Sequence, residues 1–294
     1  MAEVVYKRRL GDRKDGRLLR SLNPFCRFIP YIMVKKNDAC NQFEDSVEIS
    51  EVENWIRDQR QAGYKGMGML HLFIASYVRT VSQCPGLNRF IGGQKIFARN
   101  NIEVVMAVKK TLTAEGDETT IKIVFEPTDT VYDVYRKLNE KIDELKAVDG
   151  GNNTERVAGA LIKIPGLILK FAIWFLNLLD YFGLLPRSLL AASPFHGSMI
   201  ITDLGSLGIP PIYHHLYNFG NLPLFISFGA KRRAFELDKT GMPVERKYID
   251  YKVVVDERTV DGFYYAASLK YMKYYLKNPA ALETKPETVK DDIF

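Results

Sequence analysis

The chain has 294 residues, 47% of them hydrophobic and 12% aromatic, a composition that supports a sizeable core and argues against disorder. The net charge of +6 is modest, and the three cysteines, Cys26, Cys40 and Cys84, are scattered without a Cys-x-x-Cys pair. This excludes a disulfide scaffold and a zinc knuckle and suits a reducing cytoplasm; the opening MAEVVYKRRLGDRKDG also lacks the apolar run of a signal peptide.

Basic residues crowd the start: Lys7, Arg8, Arg9, Arg13, Lys14, Arg17, Arg20 and Arg27. They predict a basic arm over residues 1–19 that lies solvated on a neighbouring surface or holds an anion. No nucleic-acid-reading motif accompanies it, so no nucleic-acid partner is expected. Pro24 and Pro30 exclude a long helix before residue 40. "FEDSVEIS" (Phe43–Ser50) alternates as a strand does. "MLHLFIASYVRTVS" (Met69–Ser82) has apolar residues at helical spacing and stops before Cys84-Pro85. "IEVVMAVKK" (Ile102–Lys110) and "TTIKIVFE" (Thr119–Glu126) predict a hairpin joined through the polar Thr111–Glu118. From Thr128 to Lys146, Val131, Val134, Leu138, Ile142 and Leu145 share one face of a helix. "AVDGGNNTE" (Ala147–Glu155) reads as a flexible joint, and its sequon Asn152-Asn153-Thr154 has no meaning in a cytosolic protein.

An apolar segment follows, spanning about residues 158–193. Between Gly166 and Leu185 only Lys170, Asn177 and Asp180 are strongly polar, but Pro165-Gly166 and Gly183 cut the uninterrupted run to 16 residues. A bilayer span needs about 20. Two short helices packed on the body or on a neighbouring subunit are expected; a helix lying in a membrane surface and a true span are the alternatives. "SMIITDLGSLG" (Ser198–Gly208) is a strand ending in a glycine-punctuated turn. "NLPLFISFGAKRRAFEL" and "RKYIDYKVVVDE" predict two strands paired through a turn near Thr240-Gly241. Asp261 caps a helix running to about Lys277, and residues 279–294 read as a flexible tail. Irregular alternation of strands and helices predicts an α/β two-layer sandwich on one central mixed sheet.

Three stretches carry a resemblance. "TDLGSLGI" (Thr202–Ile209), "CPGLNRFIGGQKIFARNNIEVVMAVK" and "VVVDERTVDGFYYAASLKYMKYYLKNP" together resemble the catalytic domain of the 2-oxo acid dehydrogenase acyltransferases (dihydrolipoamide acyltransferases) and, more remotely, chloramphenicol acetyltransferase. The resemblance covers about residues 20–278, with 158–193 as an addition. It implies a chloramphenicol-acetyltransferase-like sandwich, a homotrimer with sites between subunits, and acyl transfer. In that family the last stretch reads Asp-His-Arg-x-x-Asp-Gly. Here it reads Asp256-Glu257-Arg258-Thr259-Val260-Asp261-Gly262, with Glu257 in place of the basic histidine.

Acyl transfer needs a base for the nucleophile's proton and a donor for the tetrahedral oxyanion. The resemblance assigns the base position to Glu257 and the oxyanion donor to Thr202, with Asp203 and Gly205 beside it toward the substrate. It makes Asp261 the organiser of the loop, through Arg20 or Arg27, and lets Gly262 bring the chain close at that corner. A free Glu has a pKa of about 4.3 and a thiol about 8.5, so the transfer costs roughly 5.7 kcal/mol unless burial raises the acid. The alternative is that Glu257 is merely structural and the chain a binding or scaffold protein. His196, His214 and His215 are candidates to line the substrate site, or are buried histidines with satisfied bonds. No third ligand at proper spacing supports a metal. A lipoyl domain is not seen, so the acyl group is expected to arrive on coenzyme A or another thiol carrier, without a covalently bound cofactor.

Overall fold

The computed structural model describes residues 8–109, 118–147, 159 and 163–293. The expected link Thr111–Asp117, the sequon joint beyond Ala147 and the start of the apolar segment fall largely outside the described residues. In chain order the elements are β1 (Gly16–Leu18), α1 (Pro24–Ile32), β2 (Cys40–Glu48), α2 (Ser50–Gln61), α3 (Met69–Gln83), β3 (Arg89–Gly92), β4 (Lys95–Arg99), β5 (Ile102–Lys109), β6 (Glu118–Phe125) and α4 (Val131–Ala147). Then come α5 (Gly166–Tyr181), α6 (Arg187–Ala192), β7 (Met199–Asp203), β8 (Leu224–Leu237), β9 (Pro243–Asp256) and α7 (Gly262–Lys277).

The main sheet has six strands in the order β2-β9-β8-β7-β5-β6, and a small sheet has the order β1-β4-β3. β7 runs parallel to β5 and β8, while the β2–β9, β8–β9 and β5–β6 pairs are antiparallel. The expected α/β architecture with a mixed central sheet is therefore the observed one. Side chains alternate between the two faces of each strand. Val104, Ile201, Ile226, Phe228, Tyr251 and Val253 turn to one face, where they meet α3, α4 and α7 in the main core. α3 is buried almost end to end, as an all-round apolar helix must be. Its Phe73 stacks on Phe228 with ring centroids 4.4 Å apart. On the opposite face, Val105, Phe225 and Val254 form a smaller cluster with Leu216 and Leu222.

Several sequence expectations change. Of the residues read as a basic arm, the described ones, 8–19, are part of the body: β1 pairs with β4, and Arg13 is buried. Arg13 holds Asp15 at 2.9 Å and donates to both the carboxylate and the carbonyl of Asp180 at the end of α5. The expected mobile tail is pinned, because Asp292 takes a two-pronged bond from the buried Arg89 at 2.6 and 2.8 Å. Arg79 adds bonds to the carbonyls of Ala281 and Thr284. The apolar segment does form two helices, α5 and α6, but no residue of α5 is buried. Only its C-terminal end is held. Tyr181 Oη reaches Gln94 Oε1 at 3.0 Å, and Lys14 Nζ reaches the Leu185 carbonyl at 2.9 Å. A Cβ on Gly93, whose φ is 53°, would collide with the Tyr181 carbonyl, so the β3–β4 turn needs glycine there. Among the described residues no helix is long and apolar enough to cross a membrane.

Asp180 is the electrostatic root of α5. Burial opposes its charge, but His196 and Arg13 bring its pKa down to about 2 from the usual 3.8. His196 Nε2 lies 3.5 Å away without a hydrogen bond, so the Arg13 guanidinium is the partner that matters. A carboxylate held below its unfolded pKa stabilises the fold above about pH 4, and that contribution is lost as pH falls toward 2. Urea unfolding measured across this window should show stability falling steeply in the wild type. In Asp180→Asn it should be lower at pH 7 and flatter between about pH 4 and pH 2.

Candidate functional site

Thr202 and Asp203 end β7, and the pleat sends them to opposite faces. Asp203 follows the core face of Ile201. Its Oδ1 accepts the Ser206 N–H at 3.0 Å, and the Ser206 hydroxyl donates to the Asp203 carbonyl at 2.8 Å. Burial raises the Asp203 pKa, partly offset by the Ser206 and Gly205 N–H groups. A Cβ on Gly205 would lie 2.7 Å from the Gly229 carbonyl, so the turn closes only with glycine. Asp203, Gly205 and Ser206 line an open cleft of about 730 Å³, with Arg57, Arg60 and Lys231 on its walls. Thr202 is not in that cleft. It points to the opposite face of the sheet, opposite Ser227 of β8.

That second face is covered by the connection from Leu204 to Pro223. The Ser227 hydroxyl donates to the Ile212 carbonyl, and the Ala230 N–H to the Ile209 carbonyl at 2.9 Å. Gly229 lets the connection cross, since a Cβ there would strike Pro211. His214 stacks on Phe225, rings 4.2 Å apart at 10°. Burial and His215 lower its pKa, so it is neutral at pH 7, and its Nε2 is buried without a partner. Phe225 is one strand across and two residues back from Thr202, or about 8 Å between Cα atoms. His214 is thus the histidine on the threonine's face. His215 is exposed, edge-on to Tyr217. His196 is buried by the root of α5, its Nδ1 2.8 Å from Ser193 Oγ. The three histidines do not converge, and among the described residues no cluster could hold a metal ion.

The "DERTVDG" corner follows β9. Asp256 and Arg258 form a buried fork, Nε and Nη2 each 2.7 Å from a carboxylate oxygen. Arg258 Nη1 also donates to the carbonyls of Met33 and Val34 at 2.8 and 3.2 Å. The Thr259 hydroxyl donates to the Asp256 carbonyl at 2.8 Å. Asp261 caps α7 as expected, accepting the Tyr264 N–H at 2.8 Å. Its predicted arginine is a correction. Arg20 pairs with Asp12 at 3.0 Å, and Arg27 lines a hollow on α1. The organising arginine is Arg258 and its carboxylate is Asp256, two residues away at the same corner. Gly262 is a second correction: a Cβ there meets open space. The alternation of "VVVDER" carried the missed signal, a carboxylate and a guanidinium two residues apart at the end of a buried strand.

Glu257 sits between these partners, half-buried, with its N–H bonded to the Ala39 carbonyl at 2.9 Å. Among the described residues no side chain pairs with its carboxylate. Lys36, in the turn before β2, is buried, donating to the Gly220 carbonyl at 3.0 Å, and burial pushes its pKa down to about 8. Thr202 aligns with Ser227, and Ser227 with Lys252, five residues before Glu257 on the reversed β9. Two strand spacings and five residues separate Thr202 from Glu257 by roughly 19 Å within one chain. One chain does not bring them together.

Comparison of the whole fold with solved structures now decides the architecture. A probable dihydrolipoamide acetyltransferase from Listeria monocytogenes superposes with a TM-score of 0.55 at 14% identity, covering 90% of this chain and 95% of that one. The cubic core of the pyruvate dehydrogenase multienzyme complex gives 0.51 at 14% identity, covering 90% and 93%. Chloramphenicol acetyltransferase gives 0.52 at 12% identity, covering 89% and 100%. The chain has the acyltransferase-core fold. Neither protein-family models nor curated protein sequences match it. On this acyltransferase-core fold the apolar α5 follows an interval outside the described residues, and the corner after β9 carries glutamate at position 257.

The Asp256–Arg258 fork should be the part of that corner least tolerant of change. Asp256→Ala leaves a buried guanidinium without its carboxylate and should cost about 3–5 kcal/mol in denaturant unfolding. Asp261→Ala, which removes only the helix cap, should cost about 1 kcal/mol.

Proposed function

We propose that the protein is an acyltransferase that moves an acyl group from a coenzyme A thioester, or another thiol carrier, to a thiol or hydroxyl acceptor. The site is completed between two copies of the chain. The observation that carries the reading is the unpaired Glu257 carboxylate, held by backbone at the corner where the resembling family places its base, on an acyltransferase-core fold. The roughly 19 Å gap to Thr202 in one chain supports a site shared across subunits. A cubic core is among the similar structures, and cubic symmetry contains threefold axes, which supports a homotrimer.

In this mechanism Glu257 takes the acceptor's proton as its sulfur or oxygen bonds to the thioester carbonyl carbon. The carbonyl oxygen becomes an oxyanion, and the hydroxyl of Thr202 from the neighbouring copy donates to it. Collapse breaks the carbon–sulfur bond, and the Glu257 acid returns the proton to the departing thiolate. The exchange of histidine for glutamate favours one second reading, a binding protein on the same fold that has lost turnover.

A panel of acyl-coenzyme A thioesters, followed by release of free thiol, separates the two. Glu257→Gln should reduce turnover by about 100-fold or more, and Glu257→His should preserve or raise it. Thr202→Ala and Glu257→Gln chains, each inactive alone, should regain activity when reassembled together, with about a quarter of sites intact in a random equimolar mixture. Turnover untouched by Glu257→Gln would remove the base. Coenzyme A binding with no turnover would establish the binding protein.

A further inference from the structure

Helix α5 is the least explained part of the molecule. Sixteen residues at 1.5 Å each make it about 24 Å long, and among the described residues its contacts with the body are at its C-terminal end. Leu167 is 84% exposed, Phe171 62% and Trp174 56%. Ile168, Ile173, Phe175 and Leu178 are exposed as well. At about 100° per residue, all of these but Ile173 fall on one broad apolar face, with Lys170 and Asn177 along its edge and Asp180 opposite. A broad aliphatic and aromatic face edged by a cation is the pattern of a helix that lies in a membrane surface.

A second apolar element stands at the same corner. Helix α1 exposes Phe25, Phe28, Tyr31 and Ile32. Phe28 and Tyr31 share a hollow of about 370 Å³ with Gln94 and Lys95 of the β3–β4 turn. Gln94 is also the residue that bonds Tyr181 of α5. Both helices therefore flank one turn of the small sheet.

The charge around them has one sign. Between Asp15 and Asp38 the sequence has no acidic residue but has Arg17, Arg27 and Lys35, beside the buried Lys36 and an Arg20 that Asp12 already holds. Between Glu155 and Asp203 the one acidic residue is Asp180, which Arg13 already holds. Lys163, Lys170 and Arg187 along α5 and its flanks are exposed. Exposed apolar and aromatic side chains ringed by cations complement an anionic lipid surface. The hydrocarbon core of a bilayer is about 30 Å thick, so α5 is too short to cross it.

We infer that α5, with α1 beside it, is a monotopic membrane-docking element that enters one leaflet of an anionic bilayer without spanning it. This goes beyond the acyl-transfer reading and does not depend on it. The helix lies along the surface with Leu167, Phe171 and Trp174 in the acyl region, Lys163 and Lys170 reach the phosphate headgroups, and the root at Asp180 ties the body to the surface.

Co-flotation of the full chain with phosphatidylcholine vesicles containing phosphatidylglycerol, and with pure phosphatidylcholine vesicles, tests this. The protein should float with the anionic vesicles and about tenfold less with the neutral ones. Trp55→Phe leaves Trp174 as the sole tryptophan, whose emission should shift to the blue when anionic vesicles are added. Phe171→Glu combined with Trp174→Glu should cut flotation roughly tenfold or more without lowering the melting temperature, since both side chains are already exposed. Lys163→Glu with Lys170→Glu should abolish the preference for anionic vesicles while the protein remains folded. No flotation of the wild type, or equal flotation of Phe171→Glu/Trp174→Glu, overturns the inference. So does a loss of subunits in that variant by light scattering, which would give α5 to a second copy of the chain.

Discussion

Strand β7 runs parallel to both of its neighbours, and those are the parallel pairs among the described strands. Parallel neighbours cannot be joined by a tight turn; each needs a crossover of a dozen residues or more. The chain meets that demand twice. The path from Phe125 to Met199 carries α4, α5 and α6, and the path from Asp203 to Leu224 lays the Leu204–Pro223 connection over the second face. The direction of β7 also separates the two motif residues. β7 ends where β9 is still in mid-course, so Thr202 finishes near one end of the sheet and Glu257 starts from the other. Within one chain the separation of Thr202 from Glu257 is a consequence of strand direction, and no side chain has to enforce it.

Two buried ion pairs join distant parts of the chain, Arg13 with Asp180 and Arg89 with Asp292, and a third, Arg258 with Asp256, closes one corner. Such pairs add little net stability over apolar packing, because desolvation of both charges opposes their attraction. Their geometry is demanding, and here each fixes a place that the apolar core does not reach. One roots α5, one pins the C-terminal segment against β3, and one shapes the corner at Glu257. The last pair has a chemical consequence. Arg258 spends its fork on Asp256 and its remaining nitrogen on two carbonyls, which leaves the adjacent Glu257 carboxylate without a cation to neutralise it.

The sequence was most legible where one physical signal dominated. The alternation in β8 and β9, the one-sided helix α4 and the Asp261 cap all appeared close to where they were expected, because period and capping act locally. Helix α2 was missed because "SEVENWIRDQRQ" buries only Val52 and Ile56, too short a stripe to show a period. The small sheet was hidden for a different reason. β1 has three residues and depends on β4 across eighty positions of sequence, so it exists by tertiary pairing alone. At the site, the motif residues landed on the expected corner and strand end, yet their partners did not. Arg20 and Arg27 carried no sequence mark that distinguished them from Arg258, whose advantage is proximity within a buried turn.

The root of α5 and the Glu257 corner are parts of one desolvated interior. Lys36 lies between them, its ammonium bonded to the Gly220 carbonyl, and it feels Asp256, Arg258 and Asp180 together. Asn221, next in the same connection, is held by Arg99 at 2.8 Å and donates to Asp15 at 2.7 Å, and Asp15 in turn binds Arg13. A chain of short polar contacts thus runs from the base of the apolar helix to the connection that roofs Thr202. Close-packed interiors transmit displacement rather than absorb it. Glu257 is backed by the Ala39 carbonyl and followed by the Arg258 fork, so it moves with this unit. Any surface that holds α5 therefore also fixes the position of the corner, and Glu257 acquires a defined distance from that surface.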